Sequence, residues 1–112
     1  MRRLFLAVVA ITAVLVPLAH AATTEVKLKD NFFKPDRVEI TKGDKVLWRW
    51  KGSDLHNVAG MKPGSDNIAF ASEFKTDGKY SHRFGKVGTW KLLCENHPRK
   101  MRMKVVVSPP GS

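Results

Sequence analysis

From Val26 onward, the apolar residues of this chain return at every second position. Val26 and Leu28 alternate with Lys27 and Lys29, Val38 and Ile40 with Arg37 and Glu39, and Val46, Trp48 and Trp50 with Leu47 and Arg49. That spacing puts the apolar members on one face of an extended strand. No segment shows the spacing of a helical stripe. Lys42-Gly43-Asp44 separates two of the runs as a turn, and Thr76-Asp77-Gly78-Lys79 and Gly85-Lys86-Val87-Gly88 punctuate later ones. Tyr80, His82 and Phe84 share one face, Trp90, Leu92 and Cys94 share another, and Lys104 to Val107 forms the last strand. Short strands at close spacing with Gly turns predict an all-β fold, an antiparallel sandwich or barrel. The stretch from Lys51 to Glu73 reads as a loop apart from Ile68 to Phe70, and is expected to lie over one end of the sandwich. Trp48, Trp50 and Trp90 are expected in the core rather than at a sugar- or base-stacking surface.

With 112 residues the chain has room for one domain and for no deep cleft between lobes. Its first part is expected to be a leader rather than part of the fold. Arg2 and Arg3 precede an apolar run from Leu4 to Ala19, and Ala19-His20-Ala21 has the small-x-small pattern of a signal-peptidase site. The run is shorter than the roughly 20 residues that span a bilayer, so residues 1–21 read as a signal peptide rather than a retained anchor. The folded domain is then 22–107, with 108–112 as a flexible tail. Cleavage removes Arg2 and Arg3 and no acid, leaving 18 basic against 10 acidic residues on 91. That surplus favours an acidic partner. The lysines are spread along strands without the aromatic interleaving of a nucleic-acid surface, so no nucleic-acid partner is expected.

The chain has one cysteine, which excludes an intrachain disulfide framework and a Cys-rich zinc module. In an oxidising compartment a lone thiol needs a holder, and a metal is one. Cys94-Glu95-Asn96-His97-Pro98-Arg99-Lys100-Met101 places a thiol, an imidazole and a thioether in one short loop. Taken alone, Cys-x2-His is a weak signal. His56 strengthens it, because it follows a separate strand and can approach from the other side of a sandwich. Two imidazoles, a thiolate and a weak thioether suit a copper electron-transfer centre, whereas zinc prefers a fourth strong ligand. His82 is expected to be a core histidine, Met61 a loop residue that could contact the site, and His20 leaves with the leader.

Several motifs in order resemble the cupredoxins, the small blue-copper proteins, and most of all their plastocyanin and amicyanin branch. They are Asn31-Phe32-Phe33-Lys34-Pro35, Val38 to Trp48 with its Lys42-Gly43-Asp44 turn, His56-Asn57-Val58, Gly88-Thr89-Trp90, Cys94-x2-His97, and Met101-Arg102-Met103-Lys104-Val105-Val106-Val107. The resemblance implies a Greek-key β-sandwich holding one copper ion that cycles between Cu(II) and Cu(I). It implies His56, Cys94 and His97 as equatorial ligands, Met101 as the axial ligand, and Asn57 as a tie between the His56 segment and the ligand loop. His97 is then expected near the surface as the electron port. Three positions depart from the family pattern. Leu93 stands where plastocyanins have an aromatic residue, Arg99 and Lys100 bring charge to the loop, and Asn96 stands where relatives commonly have Pro. The Asn96 N–H is thereby available to donate to the Cys94 sulfur.

The function expected from these features is one-electron transfer between redox partners by a monomeric exported protein, periplasmic or extracellular, with no stable membrane insertion after cleavage. The docking partner is expected to present an acidic face. Copper binding or delivery in the cell envelope is the alternative. A catalytic role is disfavoured, since four histidines leave none for a second His-rich copper site.

Overall fold

The computed structural model describes residues 21–111, so the expected leader lies outside the described residues except for Ala21. In chain order the strands are β1 (Thr23–Lys29), β2 (Phe32–Lys34), β3 (Arg37–Thr41), β4 (Lys45–Trp50), β5 (Ala59–Met61), β6 (Ile68–Ala71), β7 (Lys79–Arg83), β8 (Gly88–Leu93) and β9 (Arg102–Ser108). They form two sheets, one ordered β2-β1-β4-β7 and the other β3-β9-β8-β5-β6. The period-two reading holds where it was made. Val26, Leu28, Val38, Ile40, Val46, Trp48, Trp50, Trp90, Leu92, Val105 and Val107 are all buried in one core between the sheets. Each fully buried side chain of this kind contributes about 1.5–3 kcal/mol. Trp48 sits at the centre, its ring 5.9 Å from Tyr80, 6.3 Å from Phe84 and 6.4 Å from Phe70.

Two features differ from the sequence reading. The sandwich is not purely antiparallel, because β1 runs parallel to β4 and β3 parallel to β9. Alternation assigns a residue to a face and carries no information on strand direction. These parallel pairs arise where the chain crosses between sheets in the Greek-key manner. Secondly, the stretch from Lys51 to Glu73, mostly loop as expected and with β6 where Ile68 to Phe70 was set apart, also carries an unforeseen strand, β5. β5 and β6 pair with each other and extend the second sheet beyond β8. All three residues of β5 are buried, including Met61, so no polar–apolar alternation marks this strand. Gly60 is required here, since a Cβ at this position would collide with the Phe70 ring.

At the end of the chain, β9 continues through Ser108, which pairs with Thr41 and whose carbonyl accepts from Lys42 N–H at 2.9 Å. His82 is half-buried rather than fully enclosed. Its ring lies flat on Phe70, with centroids 3.6 Å apart and an interplanar angle of 9°. The connections β1–β2, β4–β5 and β8–β9 bring Asp30, His56 and Cys94 together.

Candidate metal centre

His56 follows β4 and is fully buried, and its backbone is fixed on both sides. Its N–H donates to the Lys75 carbonyl at 3.0 Å, and its own carbonyl accepts from Lys75 N–H at 2.9 Å and from Trp50 Nε1–H at 2.9 Å. Lys75 in turn holds its ammonium 5.4 Å from the Trp50 ring centroid. The next residue, Asn57, joins this segment to the Cys94 loop through two bonds. Its side-chain NH2 donates to Glu95 Oε1 at 2.9 Å, and its Oδ1 accepts from Glu95 N–H at 2.9 Å. The tie expected of Asn57 is therefore present. Buried and satisfied twice, it sets the spacing between the two arms of the site.

The loop from Cys94 to Met101 closes on itself. His97 N–H donates to the Cys94 carbonyl at 3.0 Å, Met101 N–H to the His97 carbonyl at 2.9 Å, and Cys94 N–H to the Met101 carbonyl at 3.0 Å. These bonds point the Cys94 and Met101 side chains inward, both with no exposure, and leave the His97 ring partly exposed. Cys94 Sγ lies 3.8 Å from His56 Nδ1, and the His56 and His97 ring centroids are 5.4 Å apart. Metal–nitrogen and metal–sulfur bonds of about 2.0 and 2.3 Å sum to more than the first of these separations, so both donors can reach a single ion. Met103, two residues on in the closing motif, is engaged elsewhere. Its sulfur accepts from Trp48 Nε1–H at 3.3 Å.

A soft sulfur donor and imidazoles gathered at a buried sandwich end are the donor set of a copper protein. In accord with that, a sequence model of the copper binding proteins of the plastocyanin/azurin family matches residues 20–108. The chain belongs to this family. It is 33% identical over 90 residues to amicyanin-alpha of Methylorubrum extorquens, covering 80% of this chain and 75% of that one. A reduced amicyanin variant superposes with a TM-score of 0.66 at 27% identity, covering 77% of this chain and 82% of the other. The purple cupredoxin of Nitrosopumilus maritimus, at 24% identity, shares the fold with a TM-score of 0.66 over 76% of this chain and 99% of its own.

Within this cupredoxin the residue that sequence reasoning missed is Asp30, in the turn after β1. Its Oδ1 lies 3.2 Å from His56 Nε2. Backbone N–H groups of Asp54 and then Ser53 outweigh desolvation and, with lesser help from the His56 ring and the Ser53 hydroxyl, hold the Asp30 carboxyl far below the usual carboxylate range. An Asp-Asn pair after a strand reads as an ordinary turn, and only the contact across the fold distinguishes it. Among the described residues, Asp30, Asp54 and His56 bring ligand-type atoms within 4.8 Å of one another. Both Asp30 oxygens already accept hydrogen bonds, from Ser53, Asp54 and the second nitrogen of His56, so this cluster supports the ring from outside.

The remaining positions are also placed. Asn96 donates its side-chain NH2 to the Leu55 carbonyl at 3.1 Å, a bond to the His56 arm that the sequence reading did not foresee. Leu93 ends β8, opposite Arg102 and Ala59. Arg99 and Lys100 are exposed beside His97, and Arg102 Nε–H donates to the Pro98 carbonyl at 2.6 Å. Leu55 and Phe74, next to His56 and Lys75 in sequence, are exposed apolar residues. Among the described residues, no helix is long and apolar enough to cross a membrane.

Proposed function

We propose that this cupredoxin is a one-electron carrier in which His56, Cys94, His97 and Met101 would hold the copper ion. The observation that carries the reading is the asymmetry of the four donors: His56, Cys94 and Met101 are fully buried, and His97 alone is partly exposed. Copper, when bound, supplies the Cu(II)/Cu(I) couple. The protein's part is to hold the donors from two directions, so that their positions change little between the two oxidation states. The Asn57–Glu95 latch and the backbone bonds of the Cys94–Met101 loop do this. His97 is the port, because an electron leaving through its ring edge crosses the least protein.

Partner recognition follows from what surrounds that edge. Exposed Leu55 and Pro98 give it an apolar border, and Arg99, Lys100 and Arg102 give it positive charge. With a surplus of eight basic residues after position 21, the natural docking partner is a redox protein with an acidic face. Residues 1–21 serve as the export signal, which places the folded domain in the periplasm or outside the cell as a monomer without substrate chemistry of its own. Three fully buried donors suit retention of the metal rather than hand-over to another protein. Cyclic voltammetry tests this: a reversible one-electron wave that persists over repeated cycles without copper loss supports the carrier. Loss of Cu(I) to a competing chelator at each reduction would instead indicate metal delivery.

A further inference from the structure

We propose that Asp30 is the positioning residue for the first imidazole ligand: its carboxylate accepts from His56 Nε2–H, fixes the ring's tautomer and orientation, and lowers the reduction potential of the site. This inference rests on the copper-site reading above. It starts from the acceptor-only nature of an ionised carboxylate. At 3.2 Å from Asp30 Oδ1, His56 Nε2 must carry the proton. The lone pair of the neutral ring is then on Nδ1, the nitrogen 3.8 Å from Cys94 Sγ. The ring is therefore prepared for metal through one nitrogen by what the other does.

The carboxylate is itself held in place. Ser53 N–H donates to its oxygens at 3.0 and 3.1 Å, Asp54 N–H at 2.9 Å, and the Ser53 hydroxyl at 3.1 Å. The turn that delivers it passes through Asn31 in the left-handed region, φ 73°, which asparagine tolerates better than most residues. Opposite, Gly52 leaves the space that Asp30 occupies. A Cβ at Gly52 would collide with the Asp30 carboxylate and come within 2.9 Å of its backbone nitrogen. The parallel register of β1 and β4, which pairs Leu28 with Trp50, brings these two segments side by side. A carboxylate behind a ligating imidazole makes the ring a stronger donor. It also places negative charge near the metal. Both effects favour Cu(II) over Cu(I).

The test is Asp30→Asn in the copper-loaded protein. The carboxamide oxygen can still accept from the loop, but the negative charge is gone. The expected result is an upward shift in potential by voltammetry, with the intense visible absorption retained. Loss of such an outer partner typically weakens metal binding roughly 10–100-fold. A tenfold loss confined to Cu(II) corresponds to about 59 mV for a one-electron couple. In the reduced, diamagnetic protein, the His56 Nε2–H proton should resonate upfield of its wild-type position and exchange faster with water. Gly52→Ala displaces the carboxylate without altering any charge and should shift the potential the same way, which keeps the test open if the first variant folds poorly. An unchanged potential and an unchanged Nε2–H signal in Asp30→Asn would overturn the proposal and leave Asp30 as a loop staple. Failure of the wild-type protein to take up copper would overturn the underlying reading, and is seen before any variant is made.

Discussion

Met101 and Met103 are both buried, two positions apart, and only their partners distinguish them. Met103 sulfur accepts from the Trp48 indole N–H at 3.3 Å, in the middle of the core. Met101 sits at the close of the Cys94 loop, its backbone bonded to Cys94 and His97. Met101→Leu should therefore raise the reduction potential and alter the visible spectrum, since a thioether that helps Cu(II) is lost. Met103→Leu should change neither, but should cost about 1–3 kcal/mol in denaturant melts by leaving a buried N–H without an acceptor. The reverse pattern would exchange their roles. At this scale much of the site was legible, because Cys94, His97 and Met101 lie in one short loop and the residue types themselves state the chemistry. His56 was legible through its position after a separate strand and through the family likeness. Asp30 was not, because its meaning comes from a partner 26 positions away. Met103 could be set apart from Met101 by the family pattern, while the indole that occupies its sulfur was visible only in the fold.

The two sheets meet at an unpaired margin where β6 and β7 are edge strands. Phe70 from β6 and His82 from β7 stack across it, with Phe84 and Trp90 packed edge-on or tilted against His82 at 5.0 and 6.2 Å. Burial pushes the His82 pKa below its ordinary 6.5, because the charged ring is poorly solvated there. The unfolded chain then binds the proton first, so stability is highest above pH 6.5 and declines as pH falls toward the folded-state value, levelling off below it. Urea midpoints measured from pH 7.5 down to pH 5 should show that decline in the wild type and a shallower one in His82→Phe. Equal slopes would place the His82 ring in a solvated setting. On the outer face of the other sheet, register brings Arg37, Lys104 and Lys91 into one row across β3, β9 and β8. Like charges directly opposite on neighbouring strands destabilise by about 0.2–1 kcal/mol. Lys104→Gln should therefore raise the melting temperature while slowing association with an acidic partner, and a fall in stability would show that the row is not in repulsion. Strand faces were readable from alternation. The parallel pairing that creates this row was not, nor was β5, whose three buried residues carry no alternation.

At the scale of the whole molecule, the described residues form a sandwich in a strongly basic chain, with the proposed electron port at one end. Its encounter with an acidic redox protein should be fast at low salt and slow steeply as ionic strength rises, since exposed charges are screened over about 10 Å at 0.1 M. Arg99→Glu, beside His97, should lower the on-rate in stopped-flow mixing. Rates insensitive to salt would move the docking surface away from the basic end. All of this depends on four donors converging on one copper ion, and a single spectrum addresses that most directly. One equivalent of Cu(II) added to the purified protein should produce an intense visible thiolate-to-copper charge-transfer band, because the Cys94 thiolate would be a strong donor to the ion and the Met101 thioether a weak one. Cys94→Ser should show no such band. A wild-type protein that binds no Cu(II), or binds it with only the weak absorption of a nitrogen- and oxygen-ligated ion, would contradict the assignment of His56, Cys94, His97 and Met101 as the copper site.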